Sequence, residues 1–308
     1  MWLEKITRSV SMRKMMNGIR SNSGLTYALK YAASYLKQGI GMSKRWVYKE
    51  LGGRSPFIHS YSTFNRYMGI AKEFVRDMKE RGINRLDKVQ YEHVREWLDR
   101  KAVYVTEKTL KVNTSALEKF FDAVGRSDIS DRLRQDYQEI YSQGNPSGRA
   151  LPFAEPMKVI ESLKDPAHRI VAELQYLTGA RVGDVKKIEV IGDKVVIESS
   201  KGGRDRVLDF SDRLDKLERI KELKAELDRF IQEKGWKDIR ESYYDDLRET
   251  CKRLGEVYTG AHAFRVNYAI ERFEELKATG LNDREADRVL TQELGHNREE
   301  MSRYYRSL

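Results

Sequence analysis

Residues 188–210 read IEVIGDKVVIESSKGGRDRVLDF, and this stretch decides the fold of the second half of the chain. It contains three short segments rich in Val and Ile. Turn residues separate them, Gly192-Asp193 between the first two and Lys201-Gly202-Gly203 between the last two. This pattern predicts a three-stranded antiparallel meander. The predicted strands are Ile188–Ile191, Lys194–Glu198 and Arg206–Phe210.

Amphipathic helices are predicted both before and after this sheet in the sequence. Apolar residues recur at spacings of three and four from Phe64 to Met78, and Gly82 marks the end of that helix. The same periodicity predicts helices near Tyr27–Leu36, 91–98, 110–124, Met157–Leu163, Ile170–Leu177, 211–234, 241–257, 262–278, 283–294 and 298–306. The fold class is therefore mainly α with a small antiparallel sheet, a helical first half followed by an α+β second half.

The distribution of charge also divides the chain in two. The 308 residues include 58 Lys and Arg and 48 Asp and Glu, a net charge of +10. Residues 1–150 hold 28 basic and 16 acidic side chains, net +12, whereas residues 151–308 hold 30 and 32, net −2. A basic surface attracts polyanions by releasing their counterions, which makes nucleic acid the expected partner. On charge alone, a surface that serves only solubility is the alternative.

A segment rich in Pro and Gly lies where the charge balance changes. Gln143–Pro152 contains Pro146 and Pro152 together with two glycines, a composition typical of a linker. We therefore predict a basic helical domain at 1–145, a linker at 146–152 and a second domain at 153–308. The strongly basic residues 1–55 are either part of the first domain or a small extra DNA-binding module.

Two further features of the composition limit the class of protein. The single cysteine, Cys251, has no second thiol for an internal disulfide, which favours a reducing compartment. No apolar run approaches the length that spans a bilayer, and the N-terminus lacks the apolar core of a secretion signal. We expect a soluble cytoplasmic protein with no membrane partner.

Three short motifs in the second half contain residues suited to phosphate chemistry. They are Thr178-Gly179-Ala180-Arg181-Val182-Gly183-Asp184, His262-Ala263-Phe264-Arg265, and Leu294-Gly295-His296 followed by Tyr304 and Tyr305. Arginine forks suit phosphate oxygens, and a nearby imidazole adds a further hydrogen bond. Taken singly, each motif also fits a structural role: a salt bridge, the start of a helix, or a helix cap beside a buried aromatic residue.

The order of these motifs is more specific than any one of them. Thr-Gly-x-Arg-x-x-Asp, a lysine in a hairpin turn, His-x-x-Arg, and Leu-Gly-His with a tyrosine nine residues after the histidine follow one another along residues 150–308. In this respect the chain resembles the tyrosine recombinases, the family of phage integrase, Xer and Cre-like enzymes. Residues 60–140 show only a general likeness to the helical DNA-binding domain of that family.

The resemblance implies a role for each matched residue. Arg181 and Arg265 are expected to hold the scissile phosphate, and Lys201 to protonate the departing 5′ oxygen. His262 and His296 are expected to add hydrogen bonds and to help move the proton of the nucleophile. Asp184 is expected to orient the histidine and arginine side chains. Tyr305 is expected to attack phosphorus, since family spacing favours it over Tyr304, which is expected to pack.

The resemblance also implies partners and leaves alternatives open. It implies double-stranded DNA as substrate, a homotetramer on paired sites, and no metal or cofactor. Only Arg306–Leu308 follow Tyr305, whereas many relatives have a further helix there that links protomers, so the mode of assembly stays open. The alternatives are a type IB topoisomerase-like relaxase acting alone and a non-catalytic DNA-binding protein on the same scaffold. Charge alone does not distinguish DNA from RNA.

Overall fold

The computed structural model describes residues 20–146, 148, 150–200 and 204–295, with only the backbone of Ser199 and Arg204. The chain forms two compact units, Met1–Ser147 and Gly148–Leu308. Seven helices are described in the first unit. They are α1 (Leu25–Leu36), α2 (Lys44–Leu51), α3 (Tyr61–Glu80), α4 (Tyr91–Ala102), α5 (Glu107–Ala123), α6 (Ser127–Gln135) and α7 (Tyr137–Ser142).

The first unit is built around the long helices α3 and α5. Ser60 caps α3 by accepting a hydrogen bond from the Thr63 amide at 3.2 Å, and Thr106 caps α5 in the same way. Buried apolar side chains follow the predicted stripe of α3 and meet those of α4 and α5. An aromatic cluster lies at the centre, where the Phe74 ring contacts Trp97 and Phe121 edge to face at 5.8 Å. The predicted helical first half is confirmed.

The second unit combines seven further helices, as far as the structure describes it, with one sheet. Its helices are α8 (Pro156–Ser162), α9 (Pro166–Thr178), α10 (Val182–Val185), α11 (Leu214–Lys234), α12 (Trp236–Leu254), α13 (His262–Ala278) and α14 (Asp283–Glu293). Its strands are β1 (Ile188–Ile191), β2 (Lys194–Ser200) and β3 (Arg204–Asp209), in the order β1-β2-β3 with antiparallel pairing. The predicted meander is confirmed.

The sheet is buried on one face only. Ile188 pairs with Ile197, and Val195 pairs with Leu208, and all four side chains lie in the core. The edge strand β1 packs against α11, while β3 packs against α14 and β2 against α10. Helix α9 crosses behind them and contacts α11 and α13. The sheet therefore brings the ends of β2 and β3 close to the helices α9, α10, α13 and α14, which carry the sequence motifs.

The predicted helices of the second half are found with small changes at their ends. The helix predicted at 211–234 begins at Leu214, and the one predicted at 241–257 spans Trp236–Leu254. The helix predicted near 298–306 lies outside the described residues. No helix in the described ranges has both the length and the apolarity needed to cross a membrane.

Candidate DNA-cleavage site

The first site motif lies where helix α9 ends. Thr178 is its last residue, and Gly179 caps the helix in the left-handed conformation at φ +60°. A Cβ on Gly179 would lie 2.5 Å from the Tyr268 ring, so only glycine fits this turn. The chain then reverses through Ala180, and Arg181 becomes the N-cap of α10.

Arg181 is held beside Asp184 through a serine at the end of the sheet. Nη1 of Arg181 donates to Oγ of Ser200 at 3.2 Å, and that hydroxyl donates to Oδ2 of Asp184 at 2.8 Å. The direct distance from Arg181 Nη1 to Asp184 Oδ2 is 3.8 Å, and Lys187 approaches the other carboxylate oxygen at 3.7 Å. Asp184 is nearly buried, whereas 26% of the Arg181 side chain is exposed. Arg181 is thus oriented but open to a ligand.

Arg265 lies in the interior, between two helix ends. Its Nη1 donates to the carbonyl of Gly179, and its Nη2 donates to the carbonyl of Leu294 at 2.6 Å. The side chain has no exposed surface, whereas His262, the first residue of the same helix, is exposed. Arg265 therefore connects the segment before Arg181 with the segment before His296.

A second buried arginine joins the same helix ends. Arg206 on β3 donates from Nε to the carbonyl of Glu293 at 2.6 Å, and from Nη2 to the carbonyl of Thr178 at 3.0 Å. Burial, and next the positive charge of Arg265, lower the pKa of Arg206 to about 9, so the guanidinium stays ionised at neutral pH. Arg181 adds a smaller effect in the same direction. Arg206 therefore lies close enough to Arg265 and to Arg181 for both positive charges to act on it.

A network of buried charges supports the end of helix α14. The Glu293 carboxylate accepts from the Tyr268 hydroxyl at 2.6 Å and from Arg272 Nε at 3.2 Å. Burial raises the pKa of Tyr268, and the negative charge of Glu293 raises it further, so the phenol stays protonated and donates. This network satisfies the buried Glu293 carboxylate, whereas Arg206 and Arg265 donate to the main-chain carbonyls of Glu293 and Leu294.

The predicted site residues fall into two groups. The structure brings together Arg181, Asp184 and Arg265, and it places His262 on the exposed start of α13. Lys201, His296, Tyr304 and Tyr305 lie outside the described residues. Across the described ranges, no cluster of three or more His, Cys, Asp or Glu side chains is arranged to hold a metal ion.

Sequence reasoning missed two residues of this site, Ser200 and Arg206. The alternation of exposed and buried residues along β3 was a signal for Arg206. Asp205, Val207 and Asp209 face outward, so Arg206 shares the inward face with Leu208 and Phe210. An arginine at an inward position of a strand indicates a buried charge with fixed partners. Ser200 gave no comparable signal.

The first unit contains a separate basic cleft of about 460 Å³. Lys44, Arg54, His59 and Lys119 line it together with Ser60 at the start of α3. Lys119 donates to the Ser55 carbonyl, and its pKa is lowered by burial. His59 fixes the same loop by bonding the Met42 carbonyl at 3.0 Å and the Ser55 hydroxyl at 2.8 Å. Glu118 also lines the cleft, so three Lys and Arg side chains stand against one carboxylate, and this excess of positive charge suits a phosphate backbone.

Comparison with known proteins identifies the class of this fold. Residues 58–127 match the family model described as "Phage integrase, N-terminal SAM-like domain". That match lies within the first unit, whereas the motifs quoted above lie in the second. The search of curated proteins gave no match.

Solved structures similar to this chain extend over both units. A lambda integrase dimer bound to a COC′ core site has a TM-score of 0.57 and 18% identity, over 93% of this chain and 78% of that chain. A XerH site-specific recombinase bound to difH substrate has a TM-score of 0.57 and 16% identity, over 94% of this chain and 95% of that chain. The chain has the tyrosine-recombinase fold, and the resemblance indicated by its motifs is confirmed.

Proposed function

We propose that this chain is a site-specific DNA recombinase that cleaves and rejoins DNA strands through a 3′-phosphotyrosyl intermediate. The observation that carries this proposal is the hydrogen bond from Arg265 to the carbonyl of Gly179, two residues before Arg181. It joins two motifs that are 84 positions apart in the sequence. The Arg265 side chain is thereby held next to the segment that carries Arg181, and the proposed reaction requires both arginines near one phosphate.

The arginines supply most of the electrostatic stabilisation in this proposal. Negative charge concentrates on the non-bridging phosphoryl oxygens in the transition state, and fixed guanidiniums stabilise it there. Arg181 is accessible, and the Ser200–Asp184 pair holds its orientation. Arg265 donates to the carbonyls of Gly179 and Leu294, and a guanidinium has five N–H groups in all. Because Arg265 has no exposed surface, DNA binding must uncover it.

The remaining predicted residues complete the chemistry. The Tyr305 oxygen bonds to phosphorus while the bond from phosphorus to the 5′ oxygen breaks, and Lys201 gives that oxygen a proton. A phenol has a pKa near 10, so about one in a thousand is ionised at neutral pH and a neighbouring base is needed. His262 and His296 take part in moving the phenol proton. The phosphotyrosyl ester conserves the bond energy, so rejoining needs neither ATP nor water.

The two units have different tasks in this proposal. The basic first domain, 1–145, binds the DNA backbone, and the basic cleft is one of its contact surfaces. The catalytic domain, 153–308, cleaves the strand. The similar solved structures include a lambda integrase tetramer bound to a Holliday junction, with a TM-score of 0.58 and 17% identity over 93% of this chain and 78% of that chain. On the basis of this similarity, we propose that four copies of the chain act on paired sites.

A DNA substrate nicked near the crossover point tests the proposal. Loss of the short fragment after cleavage traps the protein on the DNA, and we expect a denaturation-resistant protein–DNA band. Tyr305→Phe is expected to abolish this band, and Tyr304→Phe, the matched control, to retain it. Loss in the control alone would move the nucleophile to Tyr304. Binding without any band would indicate a non-catalytic protein, and relaxation of supercoils without paired sites would indicate a topoisomerase-like enzyme.

A further inference from the structure

Among the described residues, Arg206 is one of the two largest side chains that are fully buried, and it lies on a strand among apolar neighbours. An ionised group in the interior is unfavourable unless hydrogen bonds compensate its lost hydration. Arg206 has three such bonds, to the carbonyls of Glu293, Thr178 and Gly179 at 2.6, 3.0 and 3.5 Å. All three acceptors belong to the main chain, so the arginine fixes backbone positions directly.

These carbonyls are the free ends of two helices. The last carbonyls of an α-helix have no partner within it and carry the negative end of its dipole. Thr178 is the last residue of α9, and Glu293 is the last residue of α14. One guanidinium therefore satisfies both helix ends at once, which the single ammonium of a lysine cannot do in the same geometry.

The three chain segments joined in this way are those of the proposed active site. Gly179 is two residues before Arg181, and Glu293 is three residues before His296. Arg206 itself lies five positions after Lys201 in the sequence. Arg265 donates to the same two segments, at Gly179 and Leu294. Arg206 thus links described segments that are followed or preceded in the sequence by three of the proposed catalytic residues, Arg181, Lys201 and His296.

We propose that Arg206 is a positioning residue, which holds residues 178–181 and 293–295 against strand β3 in the register that cleavage requires. This inference rests on the proposed recombinase function. It assigns Arg206 no contact with DNA, because the side chain is enclosed by the two helix ends. Its effect on cleavage is transmitted through the backbone of its three partners.

Gly295 supports this assignment from the other side of the arginine. It has a φ of +64°, and a Cβ built on it would lie 3.0 Å from both Cγ and Cδ of Arg206. The aliphatic part of Arg206 therefore packs against the glycine that precedes His296. The Gly-His sequence is explained by this contact as well as by the left-handed turn.

Arg206→Lys is the first test, with Arg272→Lys as its matched control. Arg272 is also buried and also acts at Glu293, but through the carboxylate, so its loss affects stability without releasing the carbonyls. On the nicked substrate, we expect Arg206→Lys to slow covalent-complex formation about a hundredfold, because misplacing catalytic groups by about 1 Å has this effect. DNA affinity is expected to change less than about threefold, and Arg272→Lys to cleave within about threefold of the wild type.

Amide hydrogen exchange provides a readout that does not depend on activity. We expect Arg206→Lys to accelerate exchange in residues 178–183 and 290–295, while Arg272→Lys leaves 178–183 protected. Equal cleavage by the two variants, or unchanged exchange at 178–183, would overturn the positioning role. If the wild-type protein forms no covalent complex, the recombinase function fails, and the exchange measurement still decides whether Arg206 holds these segments.

Gly295→Ala tests the same role without removing any hydrogen-bond donor. The new methyl group displaces the Arg206 side chain, and Gly255→Ala is the control, because Gly255 has a similar φ of +74° with open space around its Cβ position. Both variants carry the same backbone strain, but only Gly295→Ala is expected to slow cleavage, by about tenfold or more. Equal cleavage rates would contradict the packing contact. This comparison remains decisive if Arg206→Lys does not fold.

Discussion

Both units of the molecule hold arginines in surface ion pairs, but the second unit also buries two arginines completely. In the first unit, arginines pair with carboxylates near the surface, as Arg95 does with Asp99 and Glu139 at 2.8 Å. In the second unit, Arg206 and Arg265 are buried and donate to main-chain carbonyls at helix ends. Surface charges act at long range and are screened by salt, whereas buried ones fix local geometry. In the function that we propose, the net positive first unit attracts a polyanion and the second unit positions the reacting atoms.

The largest expected effect is that of salt on DNA binding. A protein that contacts six or more phosphates loses about a thousandfold in affinity between 50 and 200 mM salt. Binding releases counterions from the DNA, and this release is less favourable when the surrounding salt concentration is higher. We expect a loss of this size here, measured by fluorescence anisotropy with a labelled duplex. Lys44→Ala, in the basic cleft, is expected to reduce the slope of log affinity against log salt by about one. A flat salt dependence would contradict DNA binding by the first unit.

Replacing Arg181, whose side chain is partly exposed, should separate catalysis from binding. Arg181→Lys retains the charge but loses the planar fork and its bond to Ser200. We expect cleavage of the nicked substrate to slow between about a hundred- and a thousandfold, with DNA affinity nearly unchanged. Lys187→Arg, beside the same carboxylate, serves as control, since it retains its charge next to Asp184. An equal loss of affinity and cleavage in Arg181→Lys would place Arg181 in DNA binding alone.

The pattern of buried apolar residues explains which helices could be predicted from the sequence. Helices with a continuous apolar stripe, such as α3, were predicted because periodicity alone reports which face is buried. Helix α2 was missed because only Val47 is buried along its eight residues, so it has no stripe. Helices α6 and α7 were missed because they are short: the buried apolar residues are Ile129 and Leu133 in α6 and Ile140 alone in α7.

Site residues show a similar limit. Arg181, Asp184 and Arg265 were predicted because they stand in motifs of the family that the chain resembles, and their catalytic roles stay predictions. Ser200 and Arg206 lie in no such motif, and their role depends on which helix ends the tertiary fold brings to them. The burial of Arg265 was likewise not predictable from three-residue spacing. His262 and Arg265 share a helix turn but differ in exposure, because one begins the helix and the other faces its neighbours.

A buried ion pair in the second unit gives a third prediction. Asp246 accepts from His168 Nδ1 at 2.7 Å and from the Asp165 amide at 3.2 Å. Burial acts to raise the pKa of Asp246, but these donors outweigh it and lower that pKa below its usual 3.8. We expect Asp246→Asn to reduce the free energy of unfolding by about 2 kcal/mol at pH 7, measured with urea.

The pH dependence of this loss follows from the direction of the shift. A carboxyl group whose pKa is lowered on folding stabilises the native state fully above its unfolded pKa, 3.8, and this contribution disappears as the pH falls through the lower folded value. The difference between the wild type and Asp246→Asn is therefore expected to stay constant from pH 7 to 5 and to shrink below about pH 4. A difference that grows on acidification would contradict the assigned hydrogen bonds.

The smallest expected effect is on a surface pair of the first unit. Glu139→Gln removes one of the two carboxylates that Arg95 contacts, and 65% of the Glu139 side chain is exposed. Water and salt screen such a pair, and Asp99 remains as a partner, so we expect a loss below about 1 kcal/mol in urea unfolding. The loss should disappear in 1 M salt, unlike that of Asp246→Asn. Glu139→Gln and Asp246→Asn could instead lose the same free energy of unfolding, with no effect of salt on either loss. That result would mean that both units use these pairs for stability, and it would contradict the proposed division between attraction and positioning.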